Sequence, residues 1–223
     1  MRPVNLILVP GFWLDADSWS KVIPPLKEAG HTVHPLTLPG LQSLDVGRSS
    51  ITLGDHVDAV IATVDSLSDP VVLVGHSGGG AISHAVVDAR PERIVRAVYV
   101  DSTPLGDGDN IADELPAIAG EVPLPEWSEF GDEELLDLDG PLRDEFRARA
   151  IPEPARVASD PQVLGDDRRF AVPATVITCS YPSSMIRELI GEGHAYTAEL
   201  ARIEDFEIVD LPTIGPSSPG PPT

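Results

Sequence analysis

The chain has 223 residues, 42% of them hydrophobic and 23% charged, a composition that excludes intrinsic disorder and suits one folded domain. Its formal charge of −21 argues against nucleic acid and anionic membrane surfaces as partners, because their phosphates would be repelled. No apolar run approaches the roughly 20 residues needed to cross a bilayer. The apolar start Val4–Val9 is too short for a signal peptide, so a cytoplasmic location is expected.

Along the chain, short apolar runs alternate with helix-length amphipathic stretches, the pattern of an α/β fold with a mostly parallel sheet flanked by helices. Val4–Val9 predicts a first strand, 17–29 a helix ending at Gly30, and Thr32–Leu36 a second strand before the turn at Leu38-Pro-Gly40. A helix over 53–67 leads to a third strand, Val71–Val74, apolar on both faces. A helix at 78–88 and a fourth strand, Ile94–Val100, follow. From about 104 to 170 the rhythm breaks into a proline-rich, acidic insertion with helices expected at 132–138 and 141–149. Leu135, Leu138, Leu142 and Phe146 would form one apolar stripe there. Such an insertion is most simply a small helical cap over the carboxyl edge of the sheet. The strand–helix rhythm returns with a strand at Ala174–Cys179, a helix at 183–200 and a strand at Phe206–Asp210. One domain is therefore expected over 1–213. The stretch from Pro212 to Thr223 holds five prolines and two glycines, and 214–223 reads as a disordered tail. Cys179 has no second cysteine to pair with and reads as a structural thiol.

Gly75-His76-Ser77-Gly78-Gly79 fits G-x-S-x-G, the turn in which a strained serine is exposed between a strand and a helix. Its context carries the reading: Val71–Val74 precedes it and a helical run follows. A serine nucleophile also needs N–H donors for the oxyanion that forms when it attacks a carbonyl. Gly78 supplies one. Phe12, in the Pro10-Gly11-Phe12-Trp13 loop after the first strand, is placed to supply the second. Trp13 and Trp19 are candidates for the pocket wall or for the core.

Four segments together resemble the α/β-hydrolase superfamily: Leu8-Val-Pro-Gly-Phe-Trp-Leu-Asp-Ala-Asp-Ser-Trp19, Leu36-Thr-Leu-Pro-Gly40, Gly75-His-Ser-Gly-Gly79 and Val98-Tyr-Val-Asp101. They look most like its small bacterial esterase-like branch, related to plant methylesterases and hydroxynitrile lyases. The resemblance runs from about residue 4 to residue 213 and is weakest in the cap. It implies the α/β-hydrolase fold, a serine–acid–histidine triad, no cofactor and no metal. In that family the acid follows one of two late strands. Asp101 ends the first, whereas the second leads into Thr178-Cys-Ser-Tyr-Pro182, which has no carboxylate, so Asp101 is the candidate acid.

The resemblance also implies a histidine after the last strand with a further helix behind it. Here Leu211-Pro-Thr213 leads instead into Ile214-Gly-Pro-Ser-Ser-Pro-Gly-Pro-Pro-Thr223, a departure that reads as a truncation or a frame change. His194, on the helix expected at 183–200, and His34, closing a strand, remain as substitutes; His76 adjoins Ser77 but should point elsewhere. The expected activity is thus that of a serine esterase on small carboxylic esters, impaired by a missing base. The alternative is an inactive module that binds a small apolar ligand on the same fold. With no last helix, an apolar sheet face that includes Phe206 or Ile208 should be exposed, and self-association through it is expected unless a partner covers it.

Overall fold

Two kinds of strand pairing organise the molecule, whose computed structural model describes residues 3–131, 135 and 137–211. In chain order the strands are β1 (Asn5–Val9), β2 (Thr32–Pro35), β3 (Val71–His76), β4 (Ile94–Val100), β5 (Glu121–Val122), β6 (Glu153–Pro154), β7 (Ala174–Thr178) and β8 (Phe206–Asp210). The helices are α1 (Ile23–Glu28), α2 (Leu53–Ser66), α3 (Gly78–Ala89), α4 (Gly140–Arg149), α5 (Ala155–Ser159) and α6 (Ser183–Glu192). Six strands form one sheet in the order β2-β1-β3-β4-β7-β8, every neighbouring pair parallel. β5 and β6 pair antiparallel with each other inside the insertion. Parallel neighbours need crossover helices, and these cover the faces of the sheet. The chain steps from β1 outward to β2 and then back past β1 to β3. That reversal opens a crevice at the carboxyl edge beside β3, where ligands bind in open α/β sheets.

Side chains alternate between the two faces of each strand. Ile7, Leu73, Tyr99 and Val176 bury against Val60 and Val64 of α2, Ile82 and Val86 of α3, and Ile186 of α6, forming the main core. On the opposite face Leu6, Leu8, Trp19 and Val33 form a smaller cluster, supported by Ile23 and Leu26 at α1 and by Val72 and Val74. Phe206 and Ile208 pack against the main core, contrary to the expectation that they are the exposed ones. The register explains this: Ile208 lies level with Val176, so it shares the covered face. The open apolar face is the other one. Val98, Val100, Ile177 and Val209 follow one another there by register, belong to neither cluster, and Val209 is 44% exposed. Among the described residues, no helix is long and apolar enough to cross a membrane.

Local chemistry explains where the elements depart from the periodicity. The helix expected over 17–29 divides into a single 3₁₀ turn, Ala16–Trp19, capped by Asp15, and the short α1. Pro24 and Pro25 lack N–H donors, so they are tolerated only in a first turn and force the helix to begin at Ile23. The helix expected over 183–200 stops at Glu192 because Gly193 takes a left-handed conformation, φ 68°, and two single turns follow. In the insertion, α4 matches the second expected helix, with Asp139 capping the Leu142 N–H. The apolar stripe does not form as expected: Leu142 is exposed, while Phe146 meets the Trp127 ring edge-on. The helix expected at 132–138 falls largely on residues outside those described, and the tail 214–223 lies wholly outside them.

α2 begins with a reciprocal cap. The Thr52 hydroxyl accepts the Asp55 N–H at 3.0 Å, and the Asp55 carboxylate accepts the Thr52 N–H at 2.8 Å. Thr52→Ala should lower stability by about 1 kcal/mol, the usual cost of losing such a cap, read as a shifted urea midpoint with an unchanged slope.

Candidate active site

Ser77 occupies the single residue between β3 and α3, at φ 50° and ψ −126°. A non-glycine residue pays roughly 1–3 kcal/mol for a conformation of that kind, so its surroundings must hold it there. Two backbone bonds do so, Ser77 N–H to Val100 O at 3.0 Å and Gly80 N–H to Ser77 O at 2.8 Å. The turn closes only because its flanks lack side chains. A Cβ at Gly79 would stand 2.3 Å from the Pro10 carbonyl oxygen, and one at Gly75 would stand 2.4 Å from the Gly79 oxygen. The serine is left exposed at the floor of a cleft of about 920 Å³, bounded by the insertion and by Ala195 and Tyr196.

Phe12, Gly78 and Asp101 line the same cleft as Ser77, so all four residues singled out from the sequence come together. The Phe12 ring covers Gly78 so closely that a Cβ there would lie 2.6 Å from a ring carbon. No described residue accepts the Phe12 N–H. The Gly78 N–H belongs to the first turn of α3, where donors have no acceptor within the helix. Two N–H groups beside an exposed serine hydroxyl can receive a developing oxyanion.

Next in the loop, Trp13 is itself left-handed, at φ 64°. Three hydrogen bonds tie it to the insertion: its N–H to Glu153 Oε2 at 3.3 Å, its indole N–H to Val122 O at 3.0 Å, and its carbonyl oxygen from Ile151 N–H at 3.0 Å. Trp13 lines the cleft, whereas Trp19 lies in the small cluster beneath the opposite face.

Asp101 directly follows β4, also in a left-handed conformation, at φ 49°. Its carboxylate accepts the N–H groups of Cys179 and Ser180 at 3.0 and 2.9 Å and the Ser180 hydroxyl at 2.5 Å. The loop that lacks a carboxylate of its own therefore grips the one on the neighbouring strand. Cys179 falls just beyond β7, half-buried, and burial next to the Asp101 charge raises its thiol pKa.

All six histidines lie among the described residues, and none forms a hydrogen bond to the Ser77 hydroxyl. His34 does not reach the cleft: its ring meets Asn5 at 3.2 Å, at the opposite end of β1 from the serine. His194 is not helical. It follows α6, is exposed, and its ring nitrogen accepts the Tyr196 N–H at 3.1 Å. His76 faces Trp19, ring centroids 6.4 Å apart, and burial lowers its pKa against the opposing Asp101 charge. His84 is buried on α3 between the Tyr99 hydroxyl at 2.8 Å and Glu199 at 3.1 Å; His56 is buried on α2.

Sequence reasoning did not anticipate Glu153, Ser180 or Tyr196. Ser180 could have been sought as a partner for Asp101 once its loop was found to lack an acid. Glu153 gives no signal, being one acid among many in a proline-rich stretch. The cleft wall also has a charge asymmetry: Asp101, Asp109, Asp113, Glu114 and Glu129 line it, and among the described residues no lysine or arginine does.

Comparison with known proteins fits this arrangement. The family described as "Alpha/beta hydrolase family" matches residues 6–220. A carbendazim-hydrolysing esterase of Nocardioides sp. (strain SG-4G) is 32% identical over 114 residues, 50% of this chain and 47% of that protein. Methylesterase 8 of Arabidopsis thaliana is 35% identical over 106 residues, 46% of this chain and 39% of that protein. The chain thus spans about half or less of the length of these curated relatives. Among solved structures, an extracellular alpha/beta-hydrolase from a Paenibacillus species superposes with a TM-score of 0.71 at 20% identity, covering 95% of this chain and 90% of that one. At that identity the likeness speaks for the fold alone.

The closeness of the turn is testable by stability. Gly79→Ala should cost at least about 2 kcal/mol, within the range for forcing atoms into a packed site, because the obstacle is the Pro10 backbone and not a movable side chain. Thermal unfolding followed by circular dichroism checks it; a melting temperature equal to that of the wild type would contradict the geometry.

Proposed function

The chain belongs to the alpha/beta hydrolase family, and from that premise we propose that it cleaves small carboxylic esters through an acyl-enzyme on Ser77. The observation that carries the reading is the strained, exposed Ser77 in one cleft with the Phe12 and Gly78 N–H groups. In this reading the Ser77 oxygen attacks the ester carbonyl carbon and surrenders its proton. The carbonyl oxygen becomes an oxyanion held by Phe12 and Gly78, and the alkoxide leaves with a proton as the acyl-serine forms. Water then releases the acid and restores the serine. Asp101, fixed by the Cys179–Ser180 loop, would orient and stabilise a cationic base.

That base is the weak point. Serine is protonated at neutral pH and depends on an acceptor, and the six histidines are engaged elsewhere. Loss of the base in a serine triad costs on the order of 10⁶ in turnover, whereas the oxyanion donors and binding alone retain roughly 10³ over water. Slow turnover is therefore proposed. The same engagement of the histidines favours a second reading, a module that binds a small ester or apolar ligand without turning it over.

Intact-mass measurement after treatment with a fluorophosphonate tests the first reading. Wild type should gain one adduct slowly, and Ser77→Ala none. An unmodified but ligand-stabilised wild type would favour the binding module, and an equal adduct in both proteins would contradict a role for Ser77. The acidic cleft wall adds a second expectation. Aryl esters with a neutral acyl group should be turned over at least about tenfold faster, in kcat/KM, than analogues carrying a carboxylate, and salt should narrow the difference. Equal rates at low salt would contradict it.

A further inference from the structure

Glu153 in β6 is 1% exposed, and the mechanism proposed above gives it no part. Among the described residues, no lysine or arginine forms an ion pair with it. Its Oε2 accepts the Trp13 N–H at 3.3 Å, and its Oε1 lies 3.7 Å from Nδ1 of His56, which is fully buried on α2. His56 Nε2 bonds the Pro39 carbonyl oxygen at 2.8 Å, so that nitrogen carries the hydrogen. Its Nδ1 is then a lone-pair acceptor facing Glu153, and it has no hydrogen-bond partner. The charge of Arg48, also buried, acts on Glu153 and opposes the upward shift, but its guanidinium is taken by Glu121 at 3.0 Å and by the carbonyl oxygens of Gly40, Ser43 and Leu44. Asp55 adds a negative charge beside His56.

These contacts suit one proton shared between Glu153 and His56, carried either on the carboxyl or on Nδ1. A protonated Glu153 can direct Oε1–H towards the unpaired His56 Nδ1, 3.7 Å away, while Oε2 still accepts from Trp13. With that proton gone, a Glu153 carboxylate faces the His56 Nδ1 lone pair across 3.7 Å and a charge is left buried. Burial drives both groups the same way, raising the Glu153 pKa to about 8 and lowering that of His56 to about 4. The result is a neutral, buried chain from the Pro39 carbonyl through His56 and Glu153 to the backbone of Trp13, adjacent to Phe12.

We infer that protonated Glu153, backed by His56, is a positioning residue that holds the left-handed Trp13, and with it the Phe12 donor, in the geometry that receives the oxyanion, and that ionising Glu153 releases this loop. The catalytic half of the inference rests on the ester-hydrolase reading; the structural half does not. Glu153→Gln reproduces the protonated acid permanently, since its amide can accept from Trp13 and donate to His56. Glu153→Ala removes the Trp13 hydrogen bond and the polar neighbour of His56 Nδ1.

Two readouts test the loop without requiring activity. In a Trp19→Phe/Trp127→Phe background, Trp13 is the sole tryptophan, and its emission should change in one transition near pH 8 that Glu153→Gln abolishes. For the sign of linkage, a carboxyl pKa raised from 4.5 to about 8 gives stability that is full below 4.5 and lost as pH rises to 8. The stability of Glu153→Gln relative to the otherwise unaltered protein should therefore increase across that window and level off above it. This comparison also serves if the tryptophan variants do not fold. A flat emission profile in the Trp13-only protein, the same transition in Glu153→Gln, or a pH-independent stability difference would each overturn the inference. For catalysis, the ratio of fluorophosphonate labelling rates, Glu153→Gln over wild type, should stay near one at about pH 6 and rise about tenfold by about pH 9, a fraction of what losing an oxyanion donor costs. Glu153→Ala should label slowly throughout. A constant ratio would overturn the catalytic half. Absence of labelling in every variant would count against the Ser77 reading, and the two structural readouts would still decide this one.

Discussion

Ser77 is held where an L-residue does not rest by choice, and the carboxyl edge of the sheet is arranged around that constraint. The strand-to-helix turn closes only if Gly79 lets the Pro10 carbonyl approach and Gly75 lets the Gly79 carbonyl approach. These contacts link the end of β3 to the loop after β1. The same closure sets the Phe12 ring on Gly78 and leaves the serine hydroxyl exposed to the cleft. One local conformation thereby fixes the relative positions of Ser77 and the Phe12–Trp13 loop. The buried core under α2, α3 and α6 supplies the rigidity that sustains it.

The insertion is joined to this edge by Trp13. Backbone and indole groups of that one residue bond to Val122, Ile151 and Glu153, so the insertion and the loop after β1 are one mechanical unit. A loop strained at Trp13 needs such over-determination, since otherwise a kilocalorie-scale preference would relax it. On the other side, the β7 loop spends three donors on Asp101. Both flanks of Ser77 are thus pre-ordered; in the proposed mechanism, what the serine still requires is a proton acceptor.

The sequence made the sheet legible because strands buried on both faces have an unmistakable composition, as Val71–Val74 does, and because Gly75–Gly79 has few structural uses besides a tight turn after such a strand. Helix limits were less legible. Pro24 and Pro25 shorten α1, and left-handed Gly193 ends α6, so His194 lies in a loop and not on a helix. The expectation about the open face failed on register alone. Phe206 and Ile208 look as exposable as Val209, and only pairing with Ala174 and Val176 assigns them to the covered side. Glu153 was invisible for a different reason: its meaning comes from contacts about 100 and 140 residues away, with His56 and Trp13, which no local pattern encodes.

The central proposal is an esterase site complete in its serine, oxyanion donors and acid but without a base of its own. Rescue by added imidazole tests this most directly, with the acylation rate of Ser77 by an aryl ester followed against imidazole concentration and Ser77→Ala subtracted as background. The account predicts a slow intrinsic rate that imidazole raises many-fold in a serine-dependent way. A fast intrinsic rate that imidazole leaves unchanged would mean that the protein supplies its own base, and would contradict it.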